Sequence, residues 1–169
     1  MRVYMLILLF SLGLVACSMM TPEPVVKDET TISDKLTPQE KQQLLELINN
    51  VRVAGCTCGR SYMPPAPALA LHSQLSSAAG IHARDMERNN HFAHQGTDGS
   101  QVGERLNRTG YNWSAVGENI AWGYERVEHV FRGWLDSPGH CKNMMDANFE
   151  HLGVAREATY WVTTFGRAR

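Results

Sequence analysis

The sequence predicts a single α+β domain in which a small sheet is covered by helices. Two observations carry this prediction: apolar residues recur at helical spacing in several segments, and short β-type segments lie between and after those segments. The length of 169 residues fits one domain, and 43% hydrophobic with 20% charged residues is typical of a globular chain rather than a disordered one. The sequence shows neither an internal repeat nor a second domain.

The first folded element is predicted to be a helix that opens the domain at residue 37. Thr37-Pro38-Gln39-Glu40 combines a threonine cap, a proline in the first turn and a glutamate three residues after the cap. The apolar residues that follow fall on one helical stripe, namely Leu44, Leu45, Leu47, Ile48 and Val51. Gly55 is a plausible end of this helix.

The rest of the domain, to residue 169, alternates between helical and strand patterns. Residues 55–67 are rich in Gly, Pro and Cys and are predicted to form a loop, after which spacings of three and four predict a helix that runs to about Asn89. The remaining predicted elements are a short helix over residues 101–109, a strand over 116–122, a helix from Val127 that Pro138-Gly139 ends, and a hairpin of strands over 152–156 and 160–165.

The charges of the chain are nearly balanced, with 16 Lys and Arg against 17 Asp and Glu and a formal net charge of −1. A protein that binds nucleic acid needs a basic face to displace counterions from phosphates, so this balance argues against a nucleic-acid partner. The sequence has no run of 18 apolar residues, which excludes a protein with several membrane-spanning helices.

Residues 1–16 are typical of an export signal. Arg2 precedes an apolar stretch that is too short to span a bilayer comfortably and that ends in Leu-Val-Ala-Cys. This ending resembles a bacterial lipobox, in which the cysteine, here Cys17, is lipidated and becomes the mature N-terminus; a plain secretory signal or an uncleaved anchor is the alternative. The resemblance implies a lipid-anchored protein of the cell envelope, at the outer membrane in a Gram-negative host. Residues 17–36 are predicted to form the lipidated N-terminus and a polar tether.

Three segments concentrate histidines, carboxylates and glycines at the ends of predicted elements. They are H-F-A-H-Q-G-T-D-G-S from residue 91, G-E-N-I-A-W-G from residue 117 and W-L-D-S-P-G-H-C from residue 134. Sharp turns that present polar side chains at the ends of rigid elements are typical of a cleft. The sequence lacks the HExxH, GxSxG and P-loop signatures, so the common zinc-peptidase, hydrolase and nucleotide-binding motifs are excluded.

The order of these motifs, followed by Y-W-V-x-x-F-G near the C-terminus, resembles the bacterial branch of the CAP superfamily. This superfamily comprises cysteine-rich secretory proteins, antigen 5 and pathogenesis-related proteins, which share the SCP domain. The resemblance covers residues 39–166. It implies an α-β-α sandwich, with a small, mostly antiparallel sheet covered by helices on both faces. It implies no single reaction, because membership of a fold family does not decide an activity.

The central cleft of this family is lined by two histidines and two acidic residues. On the matching motifs His94 corresponds to the first histidine, Glu118 to the carboxylate of Gly-Glu-Asn and His140 to the second histidine. The family acid that follows the tryptophan by three residues is replaced by Ser137, so Asp136, one residue earlier, is a secondary candidate. Imidazoles with a carboxylate can hold a divalent cation, for which zinc is the first choice and magnesium or calcium are alternatives.

The resemblance leaves three functions open for this cleft. The first is a site that binds a divalent cation and, through it, a small or lipidic ligand. The second is a metal-assisted, peptidase-like hydrolase that acts on envelope or extracellular substrates with Glu118 as the base. The third is a protein-interaction module with a vestigial cleft, in which the same residues form a hydrogen-bonded network without a metal. The first function is preferred over an enzymatic one.

The number of cysteines that remain besides Cys17 is odd. Apart from Cys17 the chain has Cys56, Cys58 and Cys141, so one of them is unpaired within a monomer. Similar proteins pair a cysteine in a Thr-Cys-Gly context with the cysteine after Ser-Pro-Gly-His, which implies a disulfide between Cys58 and Cys141. Cys56 is then free or exchanges with Cys58, and the disulfide fixes His140 beside the cleft.

The histidines outside these motifs have simpler predicted roles. His82 lies on the apolar stripe of the second predicted helix and is therefore expected in the core. His72, His129 and His151 are expected at the surface.

Overall fold

The computed structural model describes residues 35–169; the predicted export signal, Cys17 and most of the predicted tether lie outside the described residues. The helices of the described part are α1 (Pro38–Ala54), α2 (Ser73–Asn89), α3 (Val102–Arg108), α4 (Val127–Asp136) and α5 (Pro138–Met145). Its strands are β1 (Cys56–Cys58), β2 (Ser61–Met63), β3 (Ala70–Leu71), β4 (Trp113–Trp122), β5 (His151–Glu157) and β6 (Tyr160–Ala168).

Helix α1 begins where the sequence predicts. The backbone N–H of Glu40 donates to the Thr37 hydroxyl over 3.2 Å, and the Glu40 carboxylate accepts from the Thr37 N–H over 2.7 Å. This reciprocal pair is a capping box, and Pro38 occupies the first turn without losing a hydrogen bond. Leu36 is buried in the main core, so the packed domain begins one residue before the predicted boundary.

Four strands form the central sheet in the order β3-β5-β6-β4. Strand β6 pairs antiparallel with both β5 and β4, while the two-residue strand β3 pairs parallel with β5. The sheet is therefore mostly antiparallel, as predicted, and β5 and β6 form the predicted hairpin. Strand β4 lies at one edge of this sheet, which leaves its outer side open to groups from both helical layers.

Helices cover both faces of this sheet, which confirms the predicted α-β-α sandwich. Side chains of β6 alternate between the faces: Trp161 and Phe165 pack into the main core with α1, α4 and α5, whereas Val162 packs against α2. The α2 face presents small residues, Ala79 and Ala83, which allow helix and sheet to approach closely.

Helix α2 approaches the sheet closely at Gly153 of β5. A Cβ atom built on Gly153 would lie 2.1 Å from the carbonyl carbon of Leu75 and 2.4 Å from its oxygen. We expect Gly153→Ala to lower the free energy of unfolding by about 3 kcal/mol, because the clash is with backbone and cannot be relieved by a side-chain rotation. Urea denaturation measures this loss. The control is Gly139→Ala, whose Cβ would meet open space; equal stability of the two variants would contradict the prediction.

Four elements of the described residues were not predicted from the sequence, namely β1, β2, β3 and α5. Residues 55–67, predicted as a loop, contain the antiparallel hairpin of β1 and β2, in which Cys58 pairs with Ser61 across a turn at Gly59. Strand β3 was not predicted, because two residues carry no recognisable period. Pro138 follows the end of α4 as predicted, but it also starts α5, since proline is favoured in the first turn of a helix.

The structure corrects the predicted surface position of two histidines. His72 and His151 are partly buried, with ring centroids 4.8 Å apart, and both rings contact Tyr111. The Tyr111 hydroxyl and Nδ1 of His151 form a hydrogen bond of 2.8 Å. His129 is exposed and His82 is fully buried, as the sequence predicts.

Candidate cation-binding cleft

The structure brings His94 and Glu118 into direct contact. Nδ1 of His94 lies 2.9 Å from Oε1 of Glu118. Because an ionised carboxylate only accepts hydrogen bonds, this contact places the imidazole proton on Nδ1 and leaves the lone pair on Nε2. The His94 side chain is 54% exposed and that of Glu118 only 3%. The imidazole is therefore the part of the pair that solvent reaches.

Glu118 projects from the edge strand β4 toward the layer that contains α2 and α3. Nη2 of Arg105 donates to Oε2 of Glu118 over 2.8 Å, and Nε2 of His82 lies 3.8 Å from Oε1. Burial raises the pKa of Glu118, but the hydrogen bond from His94 and the charge of Arg105 outweigh it, so the pKa lies below its ordinary value. The carboxylate is therefore ionised at neutral pH, with both oxygens engaged.

Arg105 holds both partners of this pair in place. The side chain is almost completely buried, and it donates to the carbonyl oxygens of Ser100 and His94 as well as to Glu118. The planar guanidinium thus fixes the turn that carries His94 at both of its ends. The sequence does not indicate a role for Arg105, since its one local signal is a cationic residue next to Leu106 in a short predicted helix.

His82 supports the same turn from α2. Its Nε2 lies 2.9 Å from the carbonyl oxygen of Ala93, which places the ring proton on Nε2. Its buried Nδ1 has no hydrogen-bond partner among residues 35–169. Burial lowers the pKa of His82, so the ring is neutral at neutral pH. The predicted core role is confirmed, and the contact shows that this core residue supports the turn that carries His94.

His140 approaches from the opposite helical layer, in the first turn of α5. Asn119 follows Glu118 on β4 and points to the other face of the sheet, where its Nδ2 donates to the carbonyl oxygen of His140 over 3.1 Å. Asn143 donates to the Asn119 side chain and to the Glu118 carbonyl. Burial and the nearby His94 ring both lower the pKa of His140, which keeps it neutral. The Gly-Glu-Asn motif thus positions one histidine from each face of the edge strand.

Asp136 does not join this group of side chains. It is exposed at the last residue of α4, and within residues 35–169 it makes no hydrogen bond or ion pair with the other predicted ligands. His94, Glu118 and His140 also do not form a compact set of three ligand atoms among the described residues. The described residues therefore supply two imidazoles and one buried carboxylate, both oxygens of which accept hydrogen bonds.

The predicted disulfide between Cys58 and Cys141 is present and joins β1 to α5. It lies next to His140 in sequence and so ties the first turn of α5 to the hairpin of β1 and β2. Cys56 has a free thiol. In residues 35–169 these three cysteines are the one group of three or more His, Cys, Asp or Glu whose ligand atoms all lie within 4.8 Å of one another. The disulfide engages two of the three sulfurs, so the group is not a metal site in this state.

Comparison with known proteins places this fold and these motifs in one family. The chain matches the model of CAP, the cysteine-rich secretory protein family, over residues 45–163. It is 28% identical over 131 residues to the membrane protein YlbC of Bacillus subtilis, and 31% identical to an extracellular protein of Bacillus anthracis that contains an SCP domain, with a TM-score of 0.67. Both matches cover 78% of this chain, but they span only 35% and 44% of the two relatives.

A more distant structure shows the same fold. NaASP2, which was solved with Zn²⁺, is 17% identical, with a TM-score of 0.54 over 78% of this chain and 80% of its own. The relatives are named as membrane or extracellular proteins; within residues 35–169, no helix has both the length and the apolar character to cross a bilayer. Because the family model spans well over half of the chain and includes His94, Glu118 and His140, the chain belongs to the CAP family of cysteine-rich secretory proteins.

Proposed function

We propose that this chain is an exported, lipid-anchored CAP-domain protein of the bacterial envelope whose cleft binds a divalent cation through His94 and His140. The anchor is assigned to Cys17 on the lipobox-like sequence, which places the domain at the outer membrane in a Gram-negative host. The relatives, which are named as a membrane protein and an extracellular protein, support an envelope location. A small or lipidic ligand is the further partner of this site.

The observation that carries the proposal is the hydrogen bond between Nδ1 of His94 and Glu118. Histidines that bind metals almost always donate their other ring N–H to a carboxylate or carbonyl, which fixes the tautomer and makes the free nitrogen a better ligand. Glu118 is ionised, buried and held by Arg105, so it orients His94 with Nε2 toward solvent. In this proposal Glu118 is an orienting residue and not, as the motif alone suggests, a ligand.

His140 fits the role of second ligand. Its lowered pKa keeps the imidazole neutral, and only the neutral ring can coordinate a cation. Two imidazoles favour zinc over magnesium or calcium, which prefer oxygen ligands, and the solved NaASP2 structure with Zn²⁺ supports the same choice. When bound, such an ion supplies a positive charge that attracts a carbonyl or anionic group of a ligand.

Both carboxylate oxygens of Glu118 already accept hydrogen bonds, which favours a binding site over a hydrolytic one in this cleft. A general base must reach the water that it deprotonates. The Glu118 side chain is only 3% exposed, and His94 and Arg105 occupy its two oxygens. A binding site therefore agrees with these contacts better than a hydrolase in which Glu118 is the base.

Zinc titration of the oxidised protein tests this proposal. Glu118→Gln should weaken zinc binding about 10-fold to 100-fold, because it removes the charge that orients His94. His94→Ala and His140→Ala should each cost more, since each removes a ligand. The control is His129→Ala, which changes an exposed histidine of α4 and should bind zinc like the parent. Unchanged zinc affinity in both the His94 and the His140 variants would contradict the cation site.

A further inference from the structure

Three cysteine sulfurs meet where the hairpin of β1 and β2 packs on α5. Sγ of Cys56 lies 3.9 Å from Sγ of Cys58 and 3.8 Å from Sγ of Cys141, and the latter two are joined as a disulfide. Cys58 and Cys141 are buried, while Cys56 is partly exposed. The free thiol thus lies in contact with both sulfurs of the disulfide. The proposed cation site uses none of these three sulfurs.

We propose that Cys56, Cys58 and Cys141 form an intramolecular thiol–disulfide exchange site. The Cys56 thiolate attacks Sγ of Cys141, an S–S bond forms between these two residues, and the bond between Cys58 and Cys141 breaks. Cys58 leaves as the thiolate and takes up the proton that Cys56 released. The numbers of disulfides and thiols are unchanged, so the exchange needs no external oxidant or reductant.

Chain geometry selects Cys141 as the sulfur that is attacked. Cys56 and Cys58 stand two residues apart on strand β1, so their Cα atoms are about 6.6 Å apart, near the upper limit for a disulfide. A bond from Cys56 to Cys141 instead joins the same strand to the same helix as the existing bond. The nearly equal sulfur distances place the Cys56 thiol beside the disulfide, so a rotation of its side chain precedes the attack.

In both states a disulfide joins β1 to α5, and Cys141 is bonded either to Cys58 or to Cys56. Cys141 is then always oxidised, and either Cys56 or Cys58 carries the free thiol. Burial raises the pKa of Cys56, and only the thiolate attacks a disulfide, so the exchange is slow at neutral pH and faster in alkaline buffer. The site therefore allows α5 to stay attached to the hairpin when one of the two strand cysteines is blocked.

The first test uses the folded wild-type protein. It is equilibrated in mildly alkaline buffer without added thiol, alkylated with iodoacetamide, quenched with acid and digested with trypsin. Peptides 53–60 and 133–142 remain linked through the disulfide, and fragmentation of the first peptide identifies the alkylated cysteine. We expect alkylation at both Cys56 and Cys58, with Cys141 always in the disulfide. Alkylation confined to Cys56 would overturn the exchange.

The second test removes Cys58. In a glutathione redox buffer, Cys58→Ser should form a disulfide between Cys56 and Cys141 and lose both free thiols. The matched control, Cys56→Ser with Cys58→Ser, has no crosslink and should melt about 10 °C below the Cys58→Ser protein. Two free thiols in the folded Cys58→Ser protein would overturn the proposal. If the Cys58→Ser protein does not fold, the alkylation pattern of the wild-type protein alone tests the exchange. Neither experiment depends on zinc binding, so the exchange can fail without contradicting the proposed cation site, and the reverse.

Discussion

Arg52→Met is expected to lower the free energy of unfolding by about 3–5 kcal/mol. The Arg52 side chain of α1 is completely buried. Within the described part of the chain its guanidinium donates to four backbone carbonyls. The acceptors are the carbonyl oxygens of Pro67 at 2.7 Å, Met144 at 2.6 Å, Asp146 at 3.0 Å and Phe149 at 3.2 Å. Methionine has a similar length but no donor, so four carbonyls would lose this partner at once.

The position of these carbonyls explains why a cation is needed there. Residues 144–149 include the end of α5, whose last carbonyls have no partner within the helix. A charged donor at a helix C-terminus also interacts favourably with the helix dipole. Burial lowers the pKa of Arg52, but arginine stays protonated in proteins, so the guanidinium offers charge-assisted hydrogen bonds to all four acceptors.

Urea denaturation of matched variants checks this prediction. Val53→Met changes the next residue of the same helix, which is 63% exposed, and should stay within about 0.5 kcal/mol of the parent. Arg52→Lys should fall between the parent and Arg52→Met, because an ammonium group cannot reach four carbonyls in the fork geometry of a guanidinium. An Arg52→Met protein as stable as the parent would mean that water replaces the guanidinium, and the assigned role of Arg52 would be wrong.

Arg52 also shows what a hydrophobic pattern cannot indicate. It lies four residues after Ile48 and eight after Leu44, both fully buried, so it continues the apolar stripe of α1 with a charge. A periodic pattern assigns a charged residue to the solvent side by default. The partners that make this burial favourable are backbone carbonyls far along the chain, and their position follows only from the tertiary fold.

The elements predicted well are those with strong local signals. The capping box at Thr37 fixes the start of α1, and the two apolar runs of β5 and β6 lie close enough in sequence to predict a hairpin. Strands β1, β2 and β3 have two or three residues each, too few for a period to be recognised. They depend on contacts that are remote in sequence, such as the Cys58–Cys141 disulfide and the pairing of β3 with β5.

The family resemblance names candidate residues for the cleft but not the contacts between them. It indicates His94, Glu118 and His140, and the structure connects all three through strand β4. It does not indicate Arg105, because a residue that holds a carboxylate from behind belongs to no motif of the sequence. Asp136, which was chosen by its distance from a tryptophan, is exposed at the end of α4.

Arg105→Met is expected to lower the free energy of unfolding by about 3–5 kcal/mol at neutral pH, because it leaves the buried Glu118 carboxylate without its cationic partner. The same change releases the carbonyl oxygens of His94 and Ser100 at the two ends of the cleft turn. Zinc binding should therefore weaken about tenfold, as for other losses of an orienting contact. Urea denaturation and zinc titration of the same samples measure the two effects.

The stability loss of Arg105→Met should shrink as the pH falls. In the parent, the pKa of Glu118 lies below its ordinary value of 4.5, so its contribution to stability is present above that pH and is lost as the pH falls through the folded-state pKa. In the variant, the lowering effect of Arg105 is gone while burial remains, so the pKa of Glu118 is higher than in the parent. Glu118 is therefore protonated at a higher pH in the variant, and the two unfolding curves should approach each other as the pH falls from neutral through the two folded-state pKa values.

Two further variants show whether the stability loss of Arg105→Met comes from the buried ion pair with Glu118 or from the loss of any positive charge on α3. Arg108→Met, on the same helix, breaks an exposed pair with Asp98 and should leave stability close to that of the parent. Adding Glu118→Gln to Arg105→Met should recover about 2 kcal/mol, because the amide does not need a cationic partner in the buried site. If Glu118→Gln instead adds its full cost to that of Arg105→Met, the two residues act independently, and the role of Arg105 as the cationic partner of Glu118 would be wrong.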